Sequence, residues 1–290
     1  MGTATATSSD SLLKEHRLKD IIAGYGTAMV AFSAGVDSTY LLDVAFEVLK
    51  DAVLAVTADS PSLSRSSLHE AAAFCAAKGI RHAVVKTDEF ERQEYLANDA
   101  RRCYHCKAAL MRAMDGLARA TDAGRAGSAL LLGAIADDLN DYRPGMAAAA
   151  EAGAHWPLAE TGFTKDDVRT RARARQLASW NRPAEPCLSS RVPYGEPVTV
   201  AGLAMIEAAE RVLRQAGFGH CRARLHQIGG GRGYLCRIEV PANDLGRVLA
   251  AREALLPALR QLGFLSITLD LAGLVSGGFN ALLDTTAVTG

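Results

Sequence analysis

Short apolar runs alternate with helical patterns along the first 180 residues. Each run is followed by a segment in which apolar residues recur every three or four positions. The runs lie at Met29–Phe32, Ala52–Thr57, His82–Lys86 and Ala129–Gly133. The predicted helices are Ser11–Ala23, one that begins near Ser38, Ser66–Lys78, Tyr104–Thr121 and one from the Thr164 cap to Leu177. Since the strands are apolar on both faces and alternate with helices, the pattern predicts an α/β fold with a doubly wound parallel sheet.

The pattern changes after residue 180. Four prolines between residues 181 and 197 predict an extended, irregular passage and therefore a domain boundary. A smaller α+β domain is predicted beyond it, with a helix from Thr199 to Ala216, strands near Cys221–Ile228 and Tyr234–Val240, a helical stretch from Asp244 to Leu262 and a last strand at Leu265–Leu271. The predicted organisation is a first domain at 11–180, a linker at 181–198 and a C-terminal domain at 199–278.

The first apolar run ends at a turn of small residues, Ser33-Ala-Gly-Val-Asp-Ser38, and a helical pattern follows at once. A helix start offers free backbone N–H groups and the positive end of the helix dipole, which together suit an anion. Gly35 lets the backbone come close to that anion, and the hydroxyls of Ser33 and Ser38 add donors. The alternative is an ordinary strand-to-helix turn in which a serine caps the helix.

Composition narrows the choice of partners. The 290 residues are 49% hydrophobic and 22% charged, which is ordinary for a globular protein. Lys+Arg 32 against Asp+Glu 32 leaves no net charge, so nothing global favours a nucleic-acid partner. The first ten residues lack the features of a signal peptide, and the longest apolar run is too short to cross a membrane. We expect a cytoplasmic protein whose six cysteines serve as thiols, in metal binding or in catalysis.

Cys187 is the best candidate nucleophile. It lies in the proline-rich segment, four residues before Arg191, whose guanidinium would favour the reactive thiolate. The alternative is a small buried residue, the commonest fate of a cysteine that forms no disulfide. The pair Cys103 and Cys106 is weak evidence for zinc, because four ligands are needed and no second pair exists.

One predicted strand carries basic residues on a single face. Arg222, Arg224 and His226 alternate along it. This face either meets solvent or, if it turns toward the first domain, binds phosphate through the two arginines.

The turn at residues 33–38 resembles the S-G-G-x-D-S loop of the PP-loop ATP pyrophosphatases, with Ala34 where the motif usually has glycine. That departure is tolerable if the position does not need a positive φ. A loop of this kind without a Walker lysine suits enzymes that split ATP between the α and β phosphates and transfer AMP to an oxygen of the substrate. Asp37 would help to hold Mg²⁺ there.

Five further stretches resemble the LarE family, ATP-dependent sacrificial sulfur transferases that build the nickel-pincer cofactor of lactate racemase. They are T-A-D-S-P-S-L-S-R (57–65), R-C-Y-H-C-K (102–107), A-D-D-L-N-D-Y-R-P-G (136–145), C-L-S-S-R-V-P-Y-G (187–195) and R-I-E-V-P (237–241). The resemblance runs from about residue 11 to residue 278 in the same order. Besides Ala34, it departs at 133–135, where relatives more often carry G-T-N.

The resemblance implies a mechanism in which ATP adenylates a carboxylate of pyridinium-3,5-biscarboxylic acid mononucleotide. Cys187 would then form a thioester, and cleavage of its Cβ–S bond would leave a thiocarboxylate on the product and dehydroalanine in the protein. ATP and Mg²⁺ are the implied cofactors. The implied partners are the pyridinium nucleotide, further copies of the chain in a homo-oligomer and, transiently, a nickel insertase.

The resemblance also implies the site residues. Cys187 and Arg191 would be catalytic, whereas Asp37 and Glu210 would contact metal. The expected nucleotide and substrate contacts are Ser33, Gly35, Val36, Asp37, Ser38, Tyr104, Ser190, Arg222 and Arg224. Three alternatives stay open at this point: a PP-loop tRNA thiolation enzyme, an ammonia-dependent synthetase and an ATP-sensing module without enzymatic activity.

Overall fold

The computed structural model describes residues 3–120, 127–140, 143–183, 185–275 and 278–279. The chain divides into two compact units. The first unit comprises Met1–Glu89 and Cys103–Glu185, and the second comprises Phe90–Arg102 and Pro186–Gly290. Within the described ranges, no helix combines the length and apolar character that crossing a membrane requires. Residues 141–142 of the family-like stretch at 136–145 lie outside the described residues.

A four-stranded parallel sheet forms the centre of the first unit. Its strand order is β3-β2-β1-β4. The strands are β1 (Ala28–Ala31), β2 (Val53–Asp59), β3 (His82–Lys86) and β4 (Ala129–Leu131). The helices through residue 174 are α1 (Thr3–Tyr25), α2 (Val36–Leu49), α3 (Arg65–Lys78), α4 (Gln93–Leu96, in the second unit), α5 (Arg102–Ala120), α6 (Pro144–Glu151), α7 (Pro157–Glu160) and α8 (Lys165–Ala174).

Alternate residues of the central strands belong to cores on opposite faces of this sheet. Ala28 and Val30 of β1 pack into a core formed with α1, α2 and α8. Met29, between them, packs with Met111 and Met114 of α5. Both faces are therefore covered by helices, which explains why the strands carry no polar face. The predicted α/β class with a doubly wound parallel sheet is confirmed.

A small mixed sheet with the order β5-β6-β7 forms the second unit. β5 pairs with β6 antiparallel, and β6 pairs with β7 parallel. The strands are β5 (Arg222–Ile228), β6 (Gly233–Glu239) and β7 (Phe264–Leu269), and the helices that follow α8 are α9 (Val200–Gln215), α10 (Leu245–Ala250) and α11 (Arg252–Gln261). The buried residues of α9, among them Leu203 and Ile206, form the apolar face expected of a helix that packs on a sheet. The predicted smaller α+β domain is confirmed in class.

Local hydrogen bonds and backbone conformation set the starts and ends of several helices where the sequence predicts them. The Thr164 hydroxyl accepts from the Asp167 N–H while the Asp167 carboxylate accepts from the Thr164 N–H, which is a complete capping box at the start of α8. Thr199 caps α9 by accepting from the Gly202 N–H at 3.0 Å. Gly79 ends α3 with a left-handed φ of 69°.

Several element boundaries differ from the prediction, and α8, for example, ends at Ala174 rather than Leu177. α1 begins at Thr3 rather than Ser11. The apolar pattern did not predict this earlier start, because the Thr, Ala and Ser residues before Ser11 show no apolar period. The helical stretch predicted at 244–262 is two helices with a break at Ala251, where ψ is 3°. The last strand ends at Leu269 rather than Leu271.

Candidate functional site

The turn at residues 33–38, hereafter termed the phosphate loop after its predicted ligand, joins β1 to α2. Gly35 occupies the N-cap position of α2 and no side chain caps the helix. The Ser38 hydroxyl instead donates to the Gly35 carbonyl at 3.1 Å and lies 3.2 Å from the Ser33 hydroxyl. The first intrahelical bond runs from Thr39 N to Gly35 O, so the N–H groups of Val36 to Ser38 are the ones that a helix leaves for an external acceptor. The serine-cap alternative does not hold.

Alanine at position 34 was expected to be tolerable in place of glycine only if the position did not need a positive φ, and this condition is not met. The φ of Ala34 is +59°, in the left-handed region, so the position does need a positive φ. An alanine in this region costs about 1–2 kcal/mol relative to a right-handed backbone. The Ala34 side chain is buried, and the Ala34 carbonyl accepts from Arg182 Nη1 at 3.3 Å.

Gly35, in contrast, has an extended backbone that any residue can adopt, with φ −69° and ψ 159°. A Cβ placed on it would meet only the Ser33 Oγ, at 3.5 Å, which is ordinary contact. The folded chain itself therefore does not require glycine here. The missing side chain leaves room for a ligand atom to approach the backbone.

Gly133 is required by the fold at the carboxyl end of β4. A Cβ on Gly133 would lie 2.9 Å from Ser38 N and 3.0 Å from Ser38 Cα. The start of α2 thus packs directly on Gly133, and this contact fixes the phosphate loop against the sheet. Ile135, the last residue of the departure at 133–135, is buried.

Lys165 is a functional candidate that the sequence reasoning missed. Its Nζ lies 2.8 Å and 2.6 Å from the two carboxylate oxygens of Asp37. Lys165 is the first residue of α8, and its backbone N–H donates to Asp137 at 3.0 Å. The phosphate loop has no lysine of its own, but the fold supplies one 128 residues later in the chain. The only local signal was the position of Lys165 directly after the Thr164 cap.

The two predicted metal contacts differ in their surroundings. Asp37 has a partly exposed carboxylate beside the helix start, which fits Mg²⁺, since this ion is commonly held by one or two carboxylates together with phosphate oxygens. The Glu210 carboxylate is 1% exposed and accepts from Arg191 Nε at 2.8 Å, Arg214 Nη2 at 2.9 Å and Ala223 N at 3.3 Å. This donor-filled environment does not fit a cation. Among the described residues, no cluster of three His, Cys, Asp or Glu side chains has metal-binding geometry.

Cys187 is exposed, so the buried-core alternative for this residue does not hold. Its backbone carbonyl accepts from Ser190 N at 2.9 Å and from Arg191 Nη1 at 3.3 Å. The Arg191 side chain is buried, forms an ion pair with Glu210, and also donates to the Pro186 carbonyl at 2.6 Å. The backbone around Cys187 is therefore anchored while the thiol remains accessible.

Three other cysteines are buried: Cys75, Cys221 and Cys236. Burial raises the pKa of the Cys75 thiol to about 11 and that of Cys236 to about 12. These thiols stay protonated at neutral pH and are poor nucleophiles. Cys103 at the start of α5 is exposed and Cys106 is half-buried.

The basic face of β5 is buried, so the solvent-face alternative is wrong. Arg224 donates to the Glu239 carboxylate at 2.9 Å and to the Ser190 carbonyl at 2.7 Å. Arg222 donates to the Val275 carbonyl at 3.1 Å. Burial lowers the pKa of Arg222, and the neighbouring positive charges of Arg224 and Arg191 lower it further. An anion placed here would relieve that repulsion.

His226 lies on the same strand. Burial, with the charges of Arg237 and Arg224, lowers the pKa of His226 to about 4. The imidazole is therefore neutral at pH 7 and adds no positive charge to the basic face.

Tyr104 lies on α5 in the first unit. It is half-buried, and its hydroxyl donates to the Glu151 carboxylate. Its expected contact with the nucleotide or substrate stays a prediction.

The predicted site residues fall into two groups. The first unit holds the phosphate loop with Asp37, and Tyr104. The second unit brings together Cys187, Ser190, Arg191, Glu210, Arg222 and Arg224.

No protein-family model matches the chain. An uncharacterised protein of Synechocystis sp. is 39% identical to it over 272 residues, which are 93% of this chain and 98% of that protein. The pyridinium-3,5-bisthiocarboxylic acid mononucleotide synthase of Lactiplantibacillus plantarum is 36% identical over 255 residues, or 88% of this chain and 89% of that enzyme. An uncharacterised protein of Methanocaldococcus jannaschii is 25% identical over 243 residues, with 84% and 88% of the two chains covered.

Proposed function

The chain belongs to the LarE family, that of the pyridinium-3,5-bisthiocarboxylic acid mononucleotide synthase, and we propose that it is an ATP-dependent sulfur transferase. Its substrate would be pyridinium-3,5-biscarboxylic acid mononucleotide, and its sulfur would come from its own Cys187. The observation that carries the proposal is an exposed cysteine on an anchored backbone, in a chain that also has a phosphate loop free of side-chain caps.

The first step would activate a carboxylate of the substrate. A carboxylate oxygen attacks the α-phosphorus of ATP, the bond to the β-phosphate oxygen breaks, and pyrophosphate leaves. The N–H groups at the start of α2 and the Ser33 and Ser38 hydroxyls would bind the phosphate oxygens. Asp37 would hold Mg²⁺, which would neutralise charge on the phosphates. Lys165, released from Asp37 when the metal binds, would then be available to a phosphate oxygen.

The second step would transfer the sulfur. The Cys187 thiolate attacks the carbonyl carbon of the acyl-adenylate, and AMP leaves to give a thioester. A base then takes the Cys187 α-proton, the electron pair of the Cα–H bond forms a double bond between Cα and Cβ, and the Cβ–S bond breaks. The electron pair of that bond stays on sulfur, so the product carries a thiocarboxylate and residue 187 becomes dehydroalanine. Each polypeptide can complete this sequence once. Arg222 and Arg224, which lie next to Ser190 and Arg191, would bind a phosphate of the substrate or nucleotide.

The proposal separates activation from transfer, and the products of ATP report activation. With ATP, Mg²⁺ and the substrate, the wild-type protein should release AMP and pyrophosphate in equal amounts. The Cys187→Ala protein should still release pyrophosphate, but its AMP should remain on the substrate as acyl-adenylate until water removes it. Cys103→Ala, which removes an exposed thiol of the first unit, should behave like the wild type. ADP and phosphate as products would contradict the proposal.

A further inference from the structure

The stretch Phe90–Arg102, here termed the bracing segment, belongs to the second unit although β3 before it and most of α5 after it belong to the first. Its backbone accepts hydrogen bonds from residues of the Cys187 region. Asn98 O accepts from Gly195 N at 3.0 Å. The bracing segment therefore lies along the chain that follows the proposed sulfur donor.

Asn98 makes the side-chain contacts of this arrangement. Its Nδ2 donates to the Pro193 carbonyl at 2.7 Å and to the Glu196 carbonyl at 2.8 Å, and its Oδ1 accepts from Arg102 Nη1. Asn98 is 0% exposed and has a φ of +56°. Asparagine tolerates a left-handed backbone better than most residues, and it offers two donors and an acceptor on a short side chain. Asparagine thus suits position 98 in both its backbone conformation and its side-chain hydrogen bonds.

Two more side chains of the bracing segment hold Ser189, two residues after Cys187. The Tyr95 and Ser189 hydroxyls are 2.7 Å apart, and Arg102 Nη1 donates to the Ser189 carbonyl at 3.0 Å. Tyr95, Arg102 and Ser189 are all buried. Hydrogen bonds away from water are strong and hold their geometry closely. The chain is thus fixed directly after Cys187 as well as farther along it.

We infer that Asn98 is a positioning residue that, with Tyr95 and Arg102, sets the place of the Cys187 backbone for sulfur transfer. The inference rests on the proposed function. Asn98 contacts no reacting atom and acts through the segment that it holds. A displacement of about 1 Å between reacting groups can cost about 100-fold in rate. Loss of the Asn98 side chain should therefore slow sulfur transfer and leave ATP binding unchanged.

A single-turnover comparison of Asn98→Gly with the wild type tests this inference. Glycine keeps the left-handed backbone without strain and removes the side chain together with its three hydrogen bonds. Since each polypeptide gives up one sulfur, the amplitude of the mass loss counts competent molecules, whereas the rate constant reports how Cys187 is placed. We expect the rate constant at saturating ATP and substrate to fall about 10- to 100-fold, with the amplitude and the ATP dissociation constant unchanged. A smaller amplitude with an unchanged rate constant would indicate a merely structural role and overturn the inference.

Gln176→Gly is the matched control, because Gln176 also has a left-handed φ, of +58°, but lies in the first unit. Its rate constant should equal that of the wild type. If Asn98→Gly does not fold, Tyr95→Phe decides, since it removes only the hydroxyl that meets Ser189. We expect this variant to be about 3- to 10-fold slower, and an unchanged rate constant would overturn the inference. The wild-type arm separates the two levels: if the wild type loses no sulfur, the proposed function fails and the inference fails with it.

Discussion

At the scale of the residue, Ala34 and Gly35 divide the two tasks that glycine performs in a phosphate loop. The left-handed backbone falls on Ala34, which has a Cβ, whereas Gly35 is extended and has space where a Cβ would be. Motif comparison identified Ala34 as the unusual residue, but the sign of its φ depends on the fold around it. Ala34 therefore determines the backbone strain of the loop, whereas Gly35 determines how closely a ligand can approach it.

Substitutions at these two positions should affect different properties, stability at Ala34 and ATP binding at Gly35. Ala34→Gly should raise the free energy of unfolding by about 0.5–1 kcal/mol, because the relief of left-handed strain exceeds the entropy that glycine adds to the unfolded chain. Gly35→Ala should change that free energy by no more than about 0.5 kcal/mol, yet weaken ATP binding about 10-fold or more, because the new methyl occupies the ligand's space. Urea denaturation and calorimetric titration with ATP measure the two effects. Unchanged ATP binding by Gly35→Ala would show that phosphate does not approach this backbone.

Asp37 and Glu210 should respond differently to loss of their charge. Asp37→Asn should weaken ATP binding about 10-fold in the presence of Mg²⁺ and much less in its absence, because it removes a ligand that only the metal needs. Glu210→Gln should lower the free energy of unfolding by about 3 kcal/mol, because it leaves the buried Arg191 without its carboxylate partner. ATP titrations with Mg²⁺ and with a chelator, beside urea denaturation, separate the two roles. If ATP binding lost its Mg²⁺ dependence in Glu210→Gln but not in Asp37→Asn, Glu210 rather than Asp37 would be the metal ligand.

At the scale of the element, the sequence predicts best what local chemistry determines. The start of α8 at the Thr164 cap and the end of α3 at Lys78 are encoded within four residues and were predicted correctly. The strands could also be predicted, since burial on both faces requires continuous apolar runs. The contact between Lys165 and Asp37 could not, because it joins α8 to α2 across 128 residues.

α1, α2 and α8 meet at a buried carboxylate whose ionisation should make this unit sensitive to acid. Glu15 of α1 accepts from Arg171 Nε and from the Tyr40 hydroxyl, each at 2.8 Å, and Arg175 lies 3.2 Å away. Burial alone would raise the pKa of Glu15, but the hydrogen bonds from Arg171 and Tyr40 and the nearby positive charges outweigh it and lower the pKa to about 2. Because the pKa of Glu15 is lower in the folded state than its unfolded value of 4.5, its ionised carboxylate stabilises the folded protein above pH 4.5. This contribution to stability is lost as the pH falls toward 2.

Glu15→Gln should therefore reduce the slope of unfolding free energy against pH between about 4.5 and 2. It should also destabilise the protein at pH 7 by about 3 kcal/mol, because Arg171 and Arg175 lose a buried partner. Urea denaturation at several pH values measures both effects. Glu47→Gln is the control: it removes a more exposed carboxylate that also pairs with Arg175, and it should cost less than about 1 kcal/mol. Equal pH slopes for wild type and Glu15→Gln would contradict the assignment.

At the scale of the whole molecule, the residues that we propose for activation and for transfer belong to different units of one chain. The change of unit at Glu185 and Pro186 falls within the proline-rich stretch that the sequence marks. No comparable sequence feature indicates that the bracing segment belongs to the second unit. Its side-chain contacts with Ser189, Pro193 and Glu196 span 87 to 98 residues, and no periodicity or turn signal reports contacts at that distance. The candidate residues could be chosen from sequence, whereas their support became visible only in the fold.

The central claim, that this chain consumes its own sulfur, is tested most directly by the intact mass of the protein after one reaction with ATP, Mg²⁺ and the pyridinium dicarboxylate nucleotide. The mass of each polypeptide should fall by that of one H₂S, with one thiocarboxylate formed per chain, and peptide mapping should place the dehydroalanine at residue 187. Cys187→Ala should keep its mass, and Cys103→Ala should lose H₂S like the wild type. Thiocarboxylate formed over many turnovers by a protein of unchanged mass would contradict the account.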